Sequence, residues 1–523
     1  MQPLFDLFDE YPAIPICLLL GLLVLALIRF MSFLGRAVLG RGKQRRHKAG
    51  GFLDRQILDL GGIPFTGKMA TEGIFTCGEL GWGKTFLVFQ RVLKAYLRAG
   101  MGGYILGAKS GDLETVRKIF RALGVEDKLM VIGPRHKHRI NCFGELSSIA
   151  PLDGIEEEII GFFTSLLEIE SRSASKSSGE DSQFFLAHAQ RLLGAILICL
   201  RLAGEQITAG NIYRFLVSLP HTPAQLTDDA WQKSSYANQC MASAFNTNKS
   251  PRDKADYDNA ALYLLRELCA LNDRTKTSIV STVSSMLSKL LRGWMSEIWS
   301  STTTVRFQDA FAGKWLYFDT SPLEYGEYGG YSLVIAKHLA QRCVMRRLIN
   351  AGSRAVAIMG DEWQSIFVTA DRDYQAVCRS QLGCSWAATQ NLTGLYSVLG
   401  GGQAAEAQAK SWVALFGAKV FGANTDWATN TYASELCGTV RESFISVNTN
   451  QGSETTIYDQ LMGNFNSSSS SSEQYQPVVR PEHFVRLRKP EPPRNEADAI
   501  VIMPRLQQVV GRHWVQVTLR PGE

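Results

Sequence analysis

The sequence lacks several features that would assign it to a familiar class. Its ten cysteines contain no CxxC pair. The closest two, Cys378 and Cys384, flank an expected helix-to-strand joint, which excludes the paired spacings of structural zinc sites and leaves reduced thiols as the expected state. No internal repeat is visible. Away from residues 29–48 there is almost no net charge. That segment holds seven of the 55 Lys and Arg and no acid, leaving 48 basic against 49 acidic residues elsewhere. Overall charge is therefore no argument for nucleic acid. No Lys or Arg precedes residue 29, so the basic start of a cleaved signal peptide is missing.

Long apolar runs are scarce too. The one that stands out, Ala13–Leu34, is interrupted only by Arg29. As a helix it spans about 33 Å, enough for a bilayer core. Acids precede it (Asp6, Asp9, Glu10) and the basic cluster follows, so the positive-inside rule places the N-terminus outside and the bulk of the chain in the cytoplasm. A single N-terminal transmembrane helix is the expectation, with residues 1–48 as anchor and basic juxtamembrane segment.

The most informative stretch is Gly73–Thr85, in which Gly78, Gly83, Lys84 and Thr85 fit GxxxxGK[ST]. Glycines let the backbone turn its N–H groups toward phosphates. Lys84 adds a cation for the β- and γ-phosphates, and the Thr85 hydroxyl is a Mg²⁺ ligand. An apolar strand precedes the loop (74–77) and a helix follows (85–99), so the helix N-terminus also faces the anion. The nucleotide-contacting residues are expected to be Gly78, Glu79, Leu80, Gly81, Trp82, Gly83, Lys84, Thr85 and Phe86, with ATP and Mg²⁺ as ligands.

Residues 49–149 read as β-α-β-α-β, with strands at 74–77, 104–106 and 129–132 and a second helix at 112–123. Residues 150–300 show helical periodicity and few strand signals, with helices expected at 184–203, 260–271 and 278–294. The polar stretches 171–182 and 222–256 read as loops. The α/β alternation resumes over 301–523, with strands at 315–319, 355–359, 384–389, 419–423, 499–503 and 514–519. Helices are expected at 331–350, 372–382, 404–416 and 425–437. Asn466 and the six serines after it read as a flexible loop. Leu399–Gln403, though glycine-rich, reads as a turn.

A P-loop needs an acid from a neighbouring strand edge. The apolar strand 355–359 runs into Gly360, Asp361 and Glu362. Asp361 would hold Mg²⁺ through water, and Glu362 would orient and deprotonate an attacking water. The next strand ends at Gln390, where RecA-like motors carry a γ-phosphate sensor.

With these residues in view, the chain resembles the type IV coupling proteins, the TraD/TraG-like ATPases of conjugation and type IV secretion. Four further stretches carry the likeness: Gly107–Leu113 with Lys109-Ser110-Gly111-Asp112, Asp361-Glu362-Trp363, Ala388-Thr389-Gln390, and Pro477–Glu482 with Arg480-Pro481-Glu482. The resemblance implies a RecA-like P-loop α/β domain with an all-helical inserted domain, and a homo-hexamer at the bacterial inner membrane. It implies that the ring drives single-stranded DNA with its relaxase, or protein effectors, toward the channel subunits of a secretion apparatus. It also implies that Arg379, on the helix before the Gln390 strand, reaches a neighbour's nucleotide in trans. A docking receptor with little turnover, or a DNA pump of another P-loop class, are the competing readings.

Overall fold

The computed structural model describes residues 51–151, 154–173, 180–449 and 467–521. The apolar run 13–34 and the basic cluster lie outside these residues. Among the described residues no helix is long and apolar enough to cross a membrane. Residues 51–54 carry a short 3-10 turn, and the fold below begins at Arg55.

The glycine-rich lead-in holds an antiparallel pair, β1 (Gln56–Leu60) and β2 (Ile63–Thr66). Next come β3 (Ile74–Cys77), β4 (Gly102–Leu106), β5 (Leu129–Ile132), β6 (Trp315–Phe318), β7 (Val356–Gly360), β8 (Gly383–Thr389) and β9 (Ala418–Phe421). A second antiparallel pair, β10 (Thr439–Thr449) and β11 (Ser467–Pro477), precedes β12 (Ala497–Ile502) and β13 (Trp514–Leu519).

Nine strands form one sheet in the order β13-β12-β9-β3-β8-β7-β4-β6-β5. The seven from β9 to β5 are parallel, and β12 and β13 extend the edge antiparallel. Every residue of β3, β4, β6, β7, β8 and β9 is buried. That is why these segments read as mostly apolar runs without alternation: helices cover both faces of a parallel sheet, and no side of the strand meets water.

The mixed α/β fold with a large parallel sheet is as expected. Strand β8 lies between β3 and β7, so the P-loop, the Asp-Glu end and Gln390 emerge from three neighbouring strands on one sheet edge. That edge, outside the carboxyl ends of the strands, is where open α/β sheets bind ligands.

The chain leaves the sheet after β5 and returns at β6. Between them lies a run of helices from Ile155–Ser173 to Gly293–Trp299. The helix Glu180–Leu202 is central and packs against Ile155–Ser173, Tyr236–Asn246, Pro251–Leu262 and Asp273–Leu290. Leu192, Leu193, Ile196, Leu197 and Leu200 are all buried, the all-round apolar surface of a helix with neighbours on several sides. The outgoing and returning chains are tied together at a neck. Ile140 N–H donates to Ile298 O at 2.7 Å, and Thr304 N–H to Arg139 O at 2.9 Å. The Thr304 and Thr303 hydroxyls accept from Arg139 N–H at 2.8 Å and Asn141 N–H at 2.9 Å.

Three expectations need correction. The polar stretch 222–256 is largely helical, with helices Asp229–Ser234 and Tyr236–Asn246 and the start of Pro251–Leu262. Its serines and aspartates act as caps: Asp228, Ser235 and Ser250 accept from backbone N–H groups of the turns they open, and Pro251 takes the first helical position. The serine run is strand: Ser467–Ser472 pairs with Phe444–Thr449, because a ladder needs only backbone donors and acceptors, and β10 supplies the apolar side chains. The helix expected at 278–294 is two, Asp273–Leu290 and Gly293–Trp299. In the stretch 171–182, helices reach in to Ser173 and start again at Glu180. The turn at 400–402 has all three glycines in the left-handed region, as a glycine-rich turn requires.

Candidate nucleotide site

The site begins at the carboxyl end of β3. Residues 78–83 form the loop, and the helical run starts at Lys84, first as a wide turn over Lys84–Phe89 and then as α-helix over Gln90–Arg98. Gly83 sits at φ 97°, which only glycine adopts without strain. Backbone bonds from Gly78 N–H to Thr389 O (3.3 Å) and from Glu79 N–H to Ala423 O (2.9 Å) fasten the loop to the ends of β8 and β9. Trp82 is fully buried beneath the loop, and its indole N–H donates to Asp498 O on β12 at 2.9 Å.

Lys84 is buried. Its ammonium donates to Gly78 O at 2.7 Å and Glu79 O at 3.3 Å, curled into the cradle of its own loop. Burial pulls its pKa below the ordinary lysine value, against the upward pull of Asp361 and Glu362. The Thr85 hydroxyl donates to Asp361 Oδ2 at 2.9 Å. A P-loop hydroxyl and an acid 276 positions later thus meet as the sheet order requires.

Glu362 follows Asp361 in the left-handed region, at φ 49°. A non-glycine residue held there stores strain, which structures tend to retain at working sites. Its carboxylate accepts from Gln390 Nε2 at 3.0 and 3.1 Å, from Gln364 Nε2 at 2.6 Å, and pairs with Lys109 Nζ at 2.9 Å. Burial pushes its pKa up, but the hydrogen bonds from Gln390, Lys109 and Gln364 outweigh that and hold it below the ordinary carboxylate value. Lys109 also reaches Asp361 Oδ2 at 3.2 Å. Burial opposes its charge, and the two acids more than compensate, so its pKa is raised. Asp112, at the start of the next helix, is pushed up to about 6 by burial and then by the Asp361 charge.

The residues present fit Mg²⁺ and a nucleotide. Among the described residues no three His, Cys, Asp or Glu side chains converge on a metal position. A Thr hydroxyl and one carboxylate are instead the sparse all-oxygen set that Mg²⁺ takes when phosphates complete its shell.

The structure therefore brings together Lys84, Thr85, Asp361, Glu362 and Gln390. Other expected contact residues point elsewhere. The Trp82 indole faces the sheet, Leu80 and Phe86 are exposed, and the Glu79 carboxylate pairs with Lys489 and accepts from Thr425 Oγ1 at 3.2 Å. Arg379 lies apart, in the 3-10 turn Cys378–Gln381 that precedes β8 and not on the α-helix, which ends at Val377. It is at the opposite end of β8 from Gln390, roughly 20 Å away along a strand. Its guanidinium is half-exposed, 3.5 Å from Glu72. Three residues escaped assignment to the site from sequence. Lys109 stood at the end of a strand, a usable signal. Gln364 and Asn424, whose amide donates to Gln390 O at 2.7 Å, carried none.

These features define a mixed α/β fold with a large parallel sheet, carrying a P-loop and an Asp-Glu strand end on one edge. Residues 355–489 match the family described as the TraM recognition site of TraD and TraG. Among solved structures, the chain is similar to the bacterial conjugative coupling protein TrwBdeltaN70. For its trigonal form with sulphate the TM-score is 0.58 at 13% identity, covering 90% of this chain and 89% of that one. For its unbound monoclinic form the TM-score is 0.56 at 14% identity, with the same coverage. The plasmid coupling protein TrwB in complex with ADP and Mg²⁺ matches with a TM-score of 0.55 at 14% identity, covering 90% of each chain. No curated protein sequence matches. The family match and the shared fold support the type IV coupling protein family for this chain.

Proposed function

We propose that the protein is an ATP-hydrolysing P-loop motor that couples DNA, with its relaxase, or protein substrates to a type IV secretion or conjugation channel. The observation that carries the reading is the meeting of Thr85 with Asp361 at 2.9 Å, beside Glu362 on the same strand end. Lys84 and the loop N–H groups would hold the phosphates, and Thr85 and Asp361 would hold Mg²⁺, which neutralises phosphate charge. Gln390 orients Glu362. Glu362 takes the proton of the attacking water as its oxygen bonds the terminal phosphorus. The bond to the β–γ bridging oxygen breaks, leaving ADP and phosphate.

Relatives lend support to the wider reading. The matched family is described as the TraM recognition site of TraD and TraG, which are conjugation proteins, and TrwB is solved with ADP and Mg²⁺. A homo-hexamer, with Arg379 reaching a neighbour's site, belongs to the same proposal, as does a single-pass anchor in the bacterial inner membrane through residues 13–34. Its position at the sheet edge opposite its own P-loop suits Arg379 to a role in trans.

The test is ATP turnover of the full chain with and without single-stranded DNA, together with recovery of bound macromolecules on a Glu362→Gln protein. DNA-stimulated turnover that Glu362→Gln abolishes supports the motor. Nucleotide binding without turnover under any of these conditions supports a docking receptor instead.

A further inference from the structure

The residue that the hydrolytic reading leaves unexplained is Lys109. It lies on the loop between β4 and the helix Asp112–Ala122. Strand β4 is the direct neighbour of β7, which puts this loop beside the Asp-Glu end. The Lys109 side chain is 30% exposed, and its ammonium bridges Asp361 Oδ2 at 3.2 Å and Glu362 Oε1 at 2.9 Å.

This bridge has two consequences. A carboxylate offers about four acceptor positions. Those of Glu362 are taken by Lys109 and Gln390 on Oε1, and by Gln390 and Gln364 on Oε2. As it stands, Glu362 has no acceptor position left for a water. Asp361 is similarly engaged, with Oδ2 accepting from Thr85 and Lys109, and Oδ1 from the Glu362 N–H at 2.9 Å. A divalent cation placed at Thr85 and Asp361 would lie against the ammonium, and like charges at that range repel.

We propose that Lys109 is a switch residue: its ammonium competes with Mg²⁺ for the two acids that it bridges here, and swings to the terminal phosphate when nucleotide and Mg²⁺ bind. The proposal rests on the hydrolytic reading above. A lysine suits the exchange, because its ammonium is a point charge on a flexible stem with no fixed geometry to satisfy. Its partial exposure leaves room for the side chain to move. Uncapping returns an acceptor position to Glu362, and the moved cation adds charge where it develops during transfer. The base would thus be free only in a loaded site.

The two halves of the switch leave different traces in the full chain purified in detergent. Calorimetric titration of ADP at graded Mg²⁺ reads the cap. Lys109→Ala should lower the Mg²⁺ needed for half-maximal enhancement of ADP binding by about threefold or more, because an ammonium no longer competes with the metal. Steady-state turnover reads the swing. The same variant should lose at least about tenfold in kcat with a much smaller change in KM for ATP, since a transition-state contact is removed. Lys109→Arg keeps the cation but not its compact form and should fall between Lys109→Ala and the parent in both, which separates loss of charge from damage to the loop. An unchanged Mg²⁺ requirement or a parental kcat in Lys109→Ala overturns the proposal. Glu362→Gln measured alongside tells the two readings apart. If it abolishes turnover while Lys109→Ala does not, the switch fails and the motor stands. A parent protein without turnover overturns both.

Discussion

Gly422 and Trp82 are packed so closely that a Cβ on the glycine would stand 1.9 Å from Cε2 of the indole. The tryptophan of the P-loop is thus the floor on which the loop rests, and the glycine after β9 is what lets it lie flat. The Trp82 ring also lies under Gly78, where a Cβ would come within 2.6 Å. Gly422→Ala should therefore tilt the indole and raise the loop. The expected result is a loss of about 1–3 kcal/mol of stability, as in overpacked cores, together with weaker nucleotide binding. Thermal denaturation and ADP titration check this, and parental values in both would mean that the floor is soft.

Lys84→Ala and Glu362→Gln should separate binding from turnover. The first removes the phosphate cation and should weaken nucleotide affinity. The second leaves Lys84, Thr85 and Asp361 in place, so affinity should persist while kcat falls. A Glu362→Gln protein that hydrolyses ATP at the parental rate would show that another group takes the proton.

Arg379 offers a test of assembly. Its ion pair with Glu72 is half-exposed, and Glu72 also holds Arg505, so Arg379→Ala should cost less than about 1 kcal/mol of stability. If the guanidinium serves a neighbour, turnover should fall by about 10³–10⁵ with ATP affinity of the subunit nearly intact. Mixing Arg379→Ala with Lys84→Ala subunits should then recover activity that neither has alone, because one supplies the site and the other the arginine. No recovery, with full activity in Arg379→Ala, would leave it an ordinary surface arginine.

Acid should act on the structure through His338. Burial holds its pKa down at about 3, helped by Arg342 and Lys337 and opposed by Glu158. Its Nδ1 is 3.0 Å from the Ser165 hydroxyl. The unfolded chain binds a proton near pH 6.5 that the folded chain refuses, so stability falls as pH drops from about 6.5 toward 3. His338→Gln lacks this titration. Its deficit relative to the parent at pH 7 should shrink toward pH 5, by about 1.4 kcal/mol per pH unit at most. Urea unfolding at the two pH values measures the change, and a constant gap would show that His338 already charges in the fold.

Much of the sheet was legible because parallel strands leave a plain signature. Both faces are covered, so β3 and β7 read directly as largely apolar runs, and the P-loop follows from residue types that few other backbones require. What escaped depended on pairing. Ser467–Ser472 has no strand propensity of its own and is strand because β10 lies beside it. The helices of 222–256 are built from caps and polar faces, which composition alone renders as loop. Lys109 was visible as a lysine after a strand, but its partners follow from β4 lying beside β7, an order that nothing in the local sequence dictates. The apolar run at 13–34 lies outside the described residues.

The neck between residues 139–141 and 298–304 makes the helical block a detour that starts and finishes at one place. A chain closed in this way is a cassette. The helices between Glu180 and Ala270 can be lengthened, shortened or exchanged with little change to the path from β5 to β6, because loop closure is already made by the neck and grows only slowly more costly with length. Two chains could therefore share one sheet and differ almost wholly in these helices. Asn141 and Thr303, joined by a hydrogen bond, are the natural seam of that detour.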